Sequence, residues 1–477
     1  MELTGLPNRT VSPAPAGARR HLRRALGLVT AAALALAGVG PVAPPPAAAQ
    51  QRGGGPSVIR DTEIENLLRD YAAPILRAAG LTQQNVRVIV LNDRSFNAFV
   101  MDGRHIFINA GALFDAKTPN EVIGVFAHET GHLAGGHLLK LREQLARAQT
   151  ASIIALLLGA GAAVAGGGNA GAAAIMAPQA AIQRSLLAYV RTQEDQADHA
   201  GVKFLNASHQ SARGMIELFK RLSNDALFNS RYVDPYLQTH PMPQERVAAL
   251  EVIAKQSPYF DVKDPPALQA RHDMMRAKLA GFLERPDTVA RRYPSSDQSM
   301  PARYARAIAA YRHADLRNAL AQIDSLIQAQ PANAYFYELK GQALLEAGRG
   351  TEAIAPLRRA VQLAGSAPLI QVMLAQALIN TNNPATAEEA VGLLNTALAR
   401  EPTIPEAYDQ LAMAYGRKGD LGRADLAAAQ AALNRGDLKT ARQIAARAKA
   451  RLPVGSPPWV RANDITNDKP QSANARN

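Results

Sequence analysis

His128, Glu129 and His132 stand in the order His-Glu-Thr-Gly-His, a spacing with a mechanical meaning. At about 100° per residue, positions four apart return to nearly the same helix face. His128 and His132 can therefore grip one metal ion side by side, with Glu129 next to them. Two neutral imidazoles leave a zinc ion (Zn2+) needing a third protein ligand and one open position for water. Zinc draws the pKa of such a water toward neutrality, and a neighbouring carboxylate, here Glu129, can take its proton. The flanking residues suit a helix, with Thr118 and Asn120 around Pro119 ahead of the apolar run Val122 to Ala127. Such a short pattern also recurs by accident on surface helices.

A further ligand is therefore needed. A two-histidine zinc site of this class draws it from a glutamate on a later helix. Residues 184–204 read as that helix, with Leu186, Leu187, Tyr189 and Val190 packing before Glu194-Asp195-Gln196-Ala197-Asp198. Glu194 is the expected ligand. Asp198, one turn on, is placed to accept the free ring N–H of a zinc-bound histidine and so fix its tautomer. Asp195 reads as solvent-facing. His137, roughly 140° round the helix from His132, reads as packing or polar support.

The elements upstream read as a small sheet. Val86 to Leu91 is a strand, and Phe96–Met101 with His105–Asn109 form a hairpin across Asp102-Gly103. A strand edge beside the metal would let an extended substrate add as another strand. Asn97, near that edge, is a candidate for bonding the substrate main chain; it reads equally as a turn asparagine.

Four motifs thus occur in one order between roughly residues 60 and 255: Ser95-Phe96-Asn97-Ala98-Phe99 with Gly103 and Ile106 to Gly111, the HExxH, the Glu194–Asp198 segment, and His240-Pro241-Met242-Pro243-Gln244-Glu245-Arg246. Together they resemble the HtpX/CAAX-protease-like gluzincin metallopeptidases. The resemblance implies an α+β zincin-like metallopeptidase domain over residues 50–257, with one zinc ion per chain. It also offers His240 and Arg246 as donors to the oxygen that becomes negative during attack on a peptide carbonyl. His240 could instead reach the open metal position and silence the enzyme until substrate arrives. A capping histidine and a surface arginine remain the plainer alternative.

Residues 1–49 read as an export signal. Arg19, Arg20, Arg23 and Arg24 precede an apolar run from Ala25 to Val39, and Ala47-Ala48-Ala49 offers a cleavage site. The paired arginines hint at twin-arginine export, with Sec export the alternative. The chain contains no cysteine, so disulfides are excluded and the metal site must use nitrogen and oxygen. The net charge is +13, and removing residues 1–49, with five arginines and one glutamate, leaves +9. That surface suits anionic lipid or solubility. Nucleic acid is not an expected partner, since no motif for it occurs.

From Ala151 to Gln183 there is no charged residue. Gly166-Gly167-Gly168-Asn169 breaks this run, and neither half reaches the roughly 20 residues of a membrane span. It reads as a hydrophobic helical hairpin or flap over the cleft, open to peripheral membrane contact, or as part of the catalytic core. From Pro258 the chain turns helical: a connector over 258–298, an all-α tetratricopeptide-repeat solenoid over 299–453, and a disordered tail over 454–477. Ala319 and Ala353 are 34 residues apart, as are Ala390 and Ala424. About four repeats fit, with an insertion near Asn382-Asn383-Pro384 and an irregular last unit near Gly436.

Peptidase first and repeats second resembles the periplasmic branch of the family that serves outer-membrane proteins. That implies an endopeptidase degrading unfolded or misassembled outer-membrane proteins, its repeats binding the β-barrel assembly machinery or a client. The rival expectation is a chaperone or scaffold with a silent or structural metal site, against which Glu129 argues, since a structural zinc has no use for it.

Overall fold

A computed structural model describes residues 57–164, 168–228, 235–365 and 367–467; the expected signal, residues 1–49, lies outside them. The described residues divide into two compact units, 57–140 with 189–467, and 141–188.

The larger unit opens with β1 (Val58–Ile59) and α1 (Thr62–Ala78). Asp61 caps α1 by accepting the Ile64 N–H. Ile64, Leu67, Leu68, Tyr71 and Ile75 recur at helical spacing and are buried. Then come β2 (Arg87–Leu91), β3 (Ala98–Asp102) and β4 (His105–Asn109). Sheet order is β1-β2-β4-β3, with β2 parallel and β3 antiparallel to β4. The hairpin turns at Gly103-Arg104, one residue later than expected, because Asp102 pairs with His105 and accepts the Arg104 N–H. β3 is an outer strand.

After α2 (Ala110–Asp115) comes α3 (Pro119–Gly135), the helix that carries His128, Glu129 and His132. Thr118 caps it by accepting the Glu121 N–H, Pro119 fits its first turn, and every residue from Pro119 to His132 is buried. Two glycines let neighbours close in. A Cβ on Gly131 would lie 2.6 Å from the Ala197 carbonyl oxygen, and one on Gly124 would lie 2.5 Å from Met215 Cβ.

Next are α4 (His137–Val164), α5 (Gly168–Ala207), α6 (Arg213–Phe228), α7 (Pro235–Thr239) and α8 (Gln244–Ala254). Parts of α4 and α5 make up the described portion of the smaller unit, which is helical as expected. Ile153 and Ile154 are exposed, and among the described residues no helix is long and apolar enough to cross a membrane.

The second half is all helix. α9 (Pro266–Leu283) and α10 (Pro286–Arg292) occupy the expected connector. Antiparallel pairs follow: α11 (Met300–His313) with α12 (Leu316–Ala329), α13 (Ala334–Glu346) with α14 (Gly350–Ala364), α15 (Pro368–Ile379) with α16 (Pro384–Arg400), and α17 (Pro405–Arg417) with α18 (Leu421–Asn434). The first three pairs start 34 residues apart, and the fourth starts 37 after the third, which accommodates the insertion near Asn383. Stacked pairs of this kind make a tetratricopeptide-repeat-like solenoid. α19 (Leu438–Arg451) and α20 (Pro457–Asn467) close it. α20 corrects the expectation of a disordered tail from 454. Ala462 and Ile465 are buried against α18 and α19, with Trp459 packed beside them; residues 468–477 lie outside the described ones.

α9 belongs to two cores. Met275 and Leu279 pack in the peptidase core, while Met274 joins Tyr304 and Phe336 in the repeat core. Between them Lys278 is buried, its Nζ 2.6 Å from Asp61 and 3.2 Å from Glu63 of α1, and 3.9 Å from Glu338 of α13. Tyr304 donates to Glu63 at 3.0 Å.

Removing one partner of such a buried cluster costs about 3–5 kcal/mol. Lys278→Met should therefore lower the unfolding temperature sharply and separate the melting of the two halves in calorimetry. Burial raises the Glu338 carboxyl from 4.5 to about 8, against the pull of Lys278. The folded chain then holds a proton there that the unfolded chain has released. This contribution is present below pH 4.5 and is lost as pH rises to about 8. Glu338→Gln should flatten the loss of stability across that interval, and an equal loss in both proteins would contradict the assignment.

Candidate metal centre

α3 stops at Gly136, which takes φ 62° and donates its N–H back to the helix end. The turn swings α4 aside, so that His137 Nδ1 comes 3.0 Å from His132 Nδ1. His137 thus supports His132 across a break in the helix at Gly136, and not from 140° round one continuous helix. Across α3, the close approach at Gly131 brings α5 near enough for Glu194 and Asp198 to face the two motif histidines. His128 Nδ1 donates to Asp198 at 2.9 Å, which leaves its Nε2 pointing inward.

The inward atoms converge. His128 Nε2 and His132 Nε2 are 3.1 Å apart, and the Glu194 carboxylate oxygens lie 3.5 and 3.3 Å from them. His240 Nδ1 adds itself 3.3 Å from His128 Nε2 and 3.1 Å from both Glu194 oxygens. All four offer a ligand atom within 4.8 Å of the others. Ligands about 2.0–2.1 Å from a tetrahedral zinc stand about 3.3 Å from one another. The donor set therefore fits the ion in spacing and in chemistry.

Electrostatics agrees. Burial alone would lower the His128 pKa, but Asp198 and Glu194 raise it to about 9. Burial pushes His132 down to about 3, with the neighbouring rings of His128 and His240 adding to the effect. Burial would raise Glu194, yet His240, His128 and His132 hold it well below the ordinary carboxylate range. Both oxygens of Glu129 are buried with no hydrogen-bond partner among the described residues, and burial raises its carboxyl. An unpartnered buried carboxylate is costly, and here it borders the cluster, with its Oε1 3.6 Å from His240 Nε2.

Arg246 takes a different place from the one its motif implied. Its Nε and Nη2 donate to Asp198 at 2.6 and 2.9 Å, Nη1 donates to the Pro241 carbonyl at 2.7 Å, and Nη1 lies 3.0 Å from Glu194. These bonds occupy the guanidinium in orienting the two carboxylates, so the oxyanion role is not the one its geometry favours. His240 follows α7, its N–H donating to Tyr236 O at 2.7 Å and its ring 4.6 Å from that of Tyr236. Asn97 lies just before β3, buried, with Oδ1 unpartnered. Asp195 is exposed. The sequence reading overlooked Gly131 and the Asp198–Arg246 pair. Gly131 could have been suspected from a small residue inside the motif; the pairing joins residues 48 apart and had no local signal.

Loss of a carboxylate that orients a metal-bound histidine lowers metal affinity about 10–100-fold. Asp198→Ala should show that loss in a competition titration with a chromophoric chelator. Gly131→Ala should weaken binding as well, by forcing α5 off α3, although residue 131 offers no ligand; unchanged affinity would remove the close approach from the account.

Residues 59–254 match peptidase family M48. The beta-barrel assembly-enhancing protease of Escherichia coli (strain K12) is 23% identical over 412 residues, 84% of this chain and 81% of its own. Its counterpart from Yersinia pestis is 24% identical over 376 residues, 77% and 75% of the two chains. A solved structure titled "MamA MSR-1 C2" covers 34% of this chain and 92% of its own at 16% identity, with a TM-score of 0.30; the solenoid assignment rests on the helix pairs themselves. Through residues 59–254 the chain is similar to peptidase family M48, and over most of its length it resembles the beta-barrel assembly-enhancing proteases.

Proposed function

We propose that this chain is a zinc-dependent endopeptidase of the periplasm, degrading unfolded or misassembled outer-membrane proteins while its helix pairs bind the assembly machinery or a client. The observation that carries the catalytic reading is Glu129, an unpartnered buried carboxylate beside a His128–His132–Glu194 cradle. The relatives' name, beta-barrel assembly-enhancing protease, supports the choice of client.

A zinc ion in that cradle supplies Lewis-acid chemistry, acidifying water and polarising a peptide carbonyl. The chain's own residues do the rest. A Glu129 oxygen takes a proton from water and later returns it to the departing amide nitrogen, for which its raised pKa suits it. The outer edge of β3, packed against α3, accepts an extended client by main-chain pairing, which gives affinity with little sequence preference. Asn97 brings its unpartnered Oδ1 to that strand. Asp198, His137 and Arg246 hold the ligands in place. His240, seated within the ligand cluster, closes the fourth position at rest and withdraws for a client.

Glu129→Gln should reduce cleavage of an unfolded model protein by about 10²–10⁴-fold, with bound zinc retained on elemental analysis. A strong chelator should abolish wild-type cleavage and added zinc restore it. Cleavage by Glu129→Gln at the wild-type rate would sink the mechanism. His240→Ala should cleave at least as fast as wild type; a deep loss of rate would move His240 from gate to oxyanion donor.

A further inference from the structure

The sheet has a second open edge, on the side away from β3. β1 pairs with β2 only at Val58↔Leu91 and Ile59↔Val90, after which the chain turns away through Arg60 and Asp61 into α1. Along a strand the main-chain groups point alternately to the two neighbouring strands. Asn92 N–H donates to Ser57 on the β1 side, and Arg87 N–H donates to Arg104 on the β4 side. Val88 shares its direction with Asn92, so its N–H and C=O point to the side that β1 has already left. Among the described residues no strand pairs with that part of β2.

This edge forms one wall of a cavity of about 1030 Å³, completed by α1 and by the ends of the helix pairs, including Pro368, Leu369 and Arg400. It reaches the upper end of the range usual for ligand sites, about 300–1,000 Å³. Its charge is one-sided. Arg60 is matched by Glu65 and Glu401, each at 2.7 Å. Arg69, Arg77, Arg87 and Arg400 also line the cavity. Arg87 comes no nearer than 4.0 Å to Glu401, and no ion pair involves the other three among the described residues.

We infer that this cleft docks an extended acidic polypeptide segment, which adds to β2 in line with β1 and presents its carboxylates to the four arginines. The open edge supplies main-chain affinity and the arginines supply selectivity by charge. A flat lipid surface offers Val88 no main-chain partner, so anionic membrane is the disfavoured occupant. The inference does not depend on proteolysis.

The test is fluorescence anisotropy of a labelled, alternating valine–glutamate peptide with the full chain carrying Glu129→Gln, so that the probe stays intact. Binding is expected to weaken at least ~tenfold in Arg69→Glu/Arg400→Glu, both exposed positions, with the melting temperature unchanged. N-methylation of alternate peptide amides should abolish binding, and a valine–lysine peptide should not bind. Binding that survives the charge reversal overturns the inference. So does capture of phosphatidylglycerol vesicles in preference to the peptide, lost in the same variant.

Discussion

The main chain of α3 touches the main chain of α5 because residue 131 has no side chain. Ala197 sits where a Cβ would go, and the residues on either side of it in α5 are the ones the site needs. Glu194 lies one turn before Ala197 and Asp198 directly after it. With a side chain at 131 the helices would stand further apart, and a carboxylate is too short to make up the distance. The inner positions of the HExxH are therefore not chemically idle. Of the three, Glu129 brings a buried carboxylate to the cluster and Gly131 sets the spacing between helices. Gly124 repeats the device against α6, so α3 is sheathed closely on two sides.

Close packing in turn makes the site electrostatically demanding. Four imidazoles, three carboxylates and a guanidinium are gathered largely out of reach of solvent. Each would be costly alone in such surroundings. They are tolerable because every one is committed: Asp198 to His128 and Arg246, Glu194 to the histidines and Arg246, His137 to His132. Glu129 is the exception: neither of its oxygens has a hydrogen-bond partner among the described residues, and Oε1 stands 3.6 Å from His240 Nε2.

The clustering of His128, His132 and Glu194 was legible because the histidine spacing follows helical geometry, with Glu194 placed by its own helix. The repeats were legible because alanines recur every 34 residues. What escaped was set by contacts between distant residues. Arg246 is defined by Asp198, and Lys278 by carboxylates on two other helices. The support given by His137 depends on a left-handed residue at Gly136 that breaks the expected continuous helix. The order of residues 457–467 escaped for the opposite reason. That segment is short and followed by polar residues, and it gains order only from the apolar end of the helix stack it covers.

α9 has no outside. One flank is part of the peptidase core and the other is part of the repeat core, with Lys278 between them tied to both. The boundary suggested by a change in composition is therefore not a seam at which the protein could come apart. Whichever half kept α9 would carry a bare apolar flank, and whichever lost it would lack a wall. A partner that tugs on the repeats meets the first helix of the peptidase domain one side chain away.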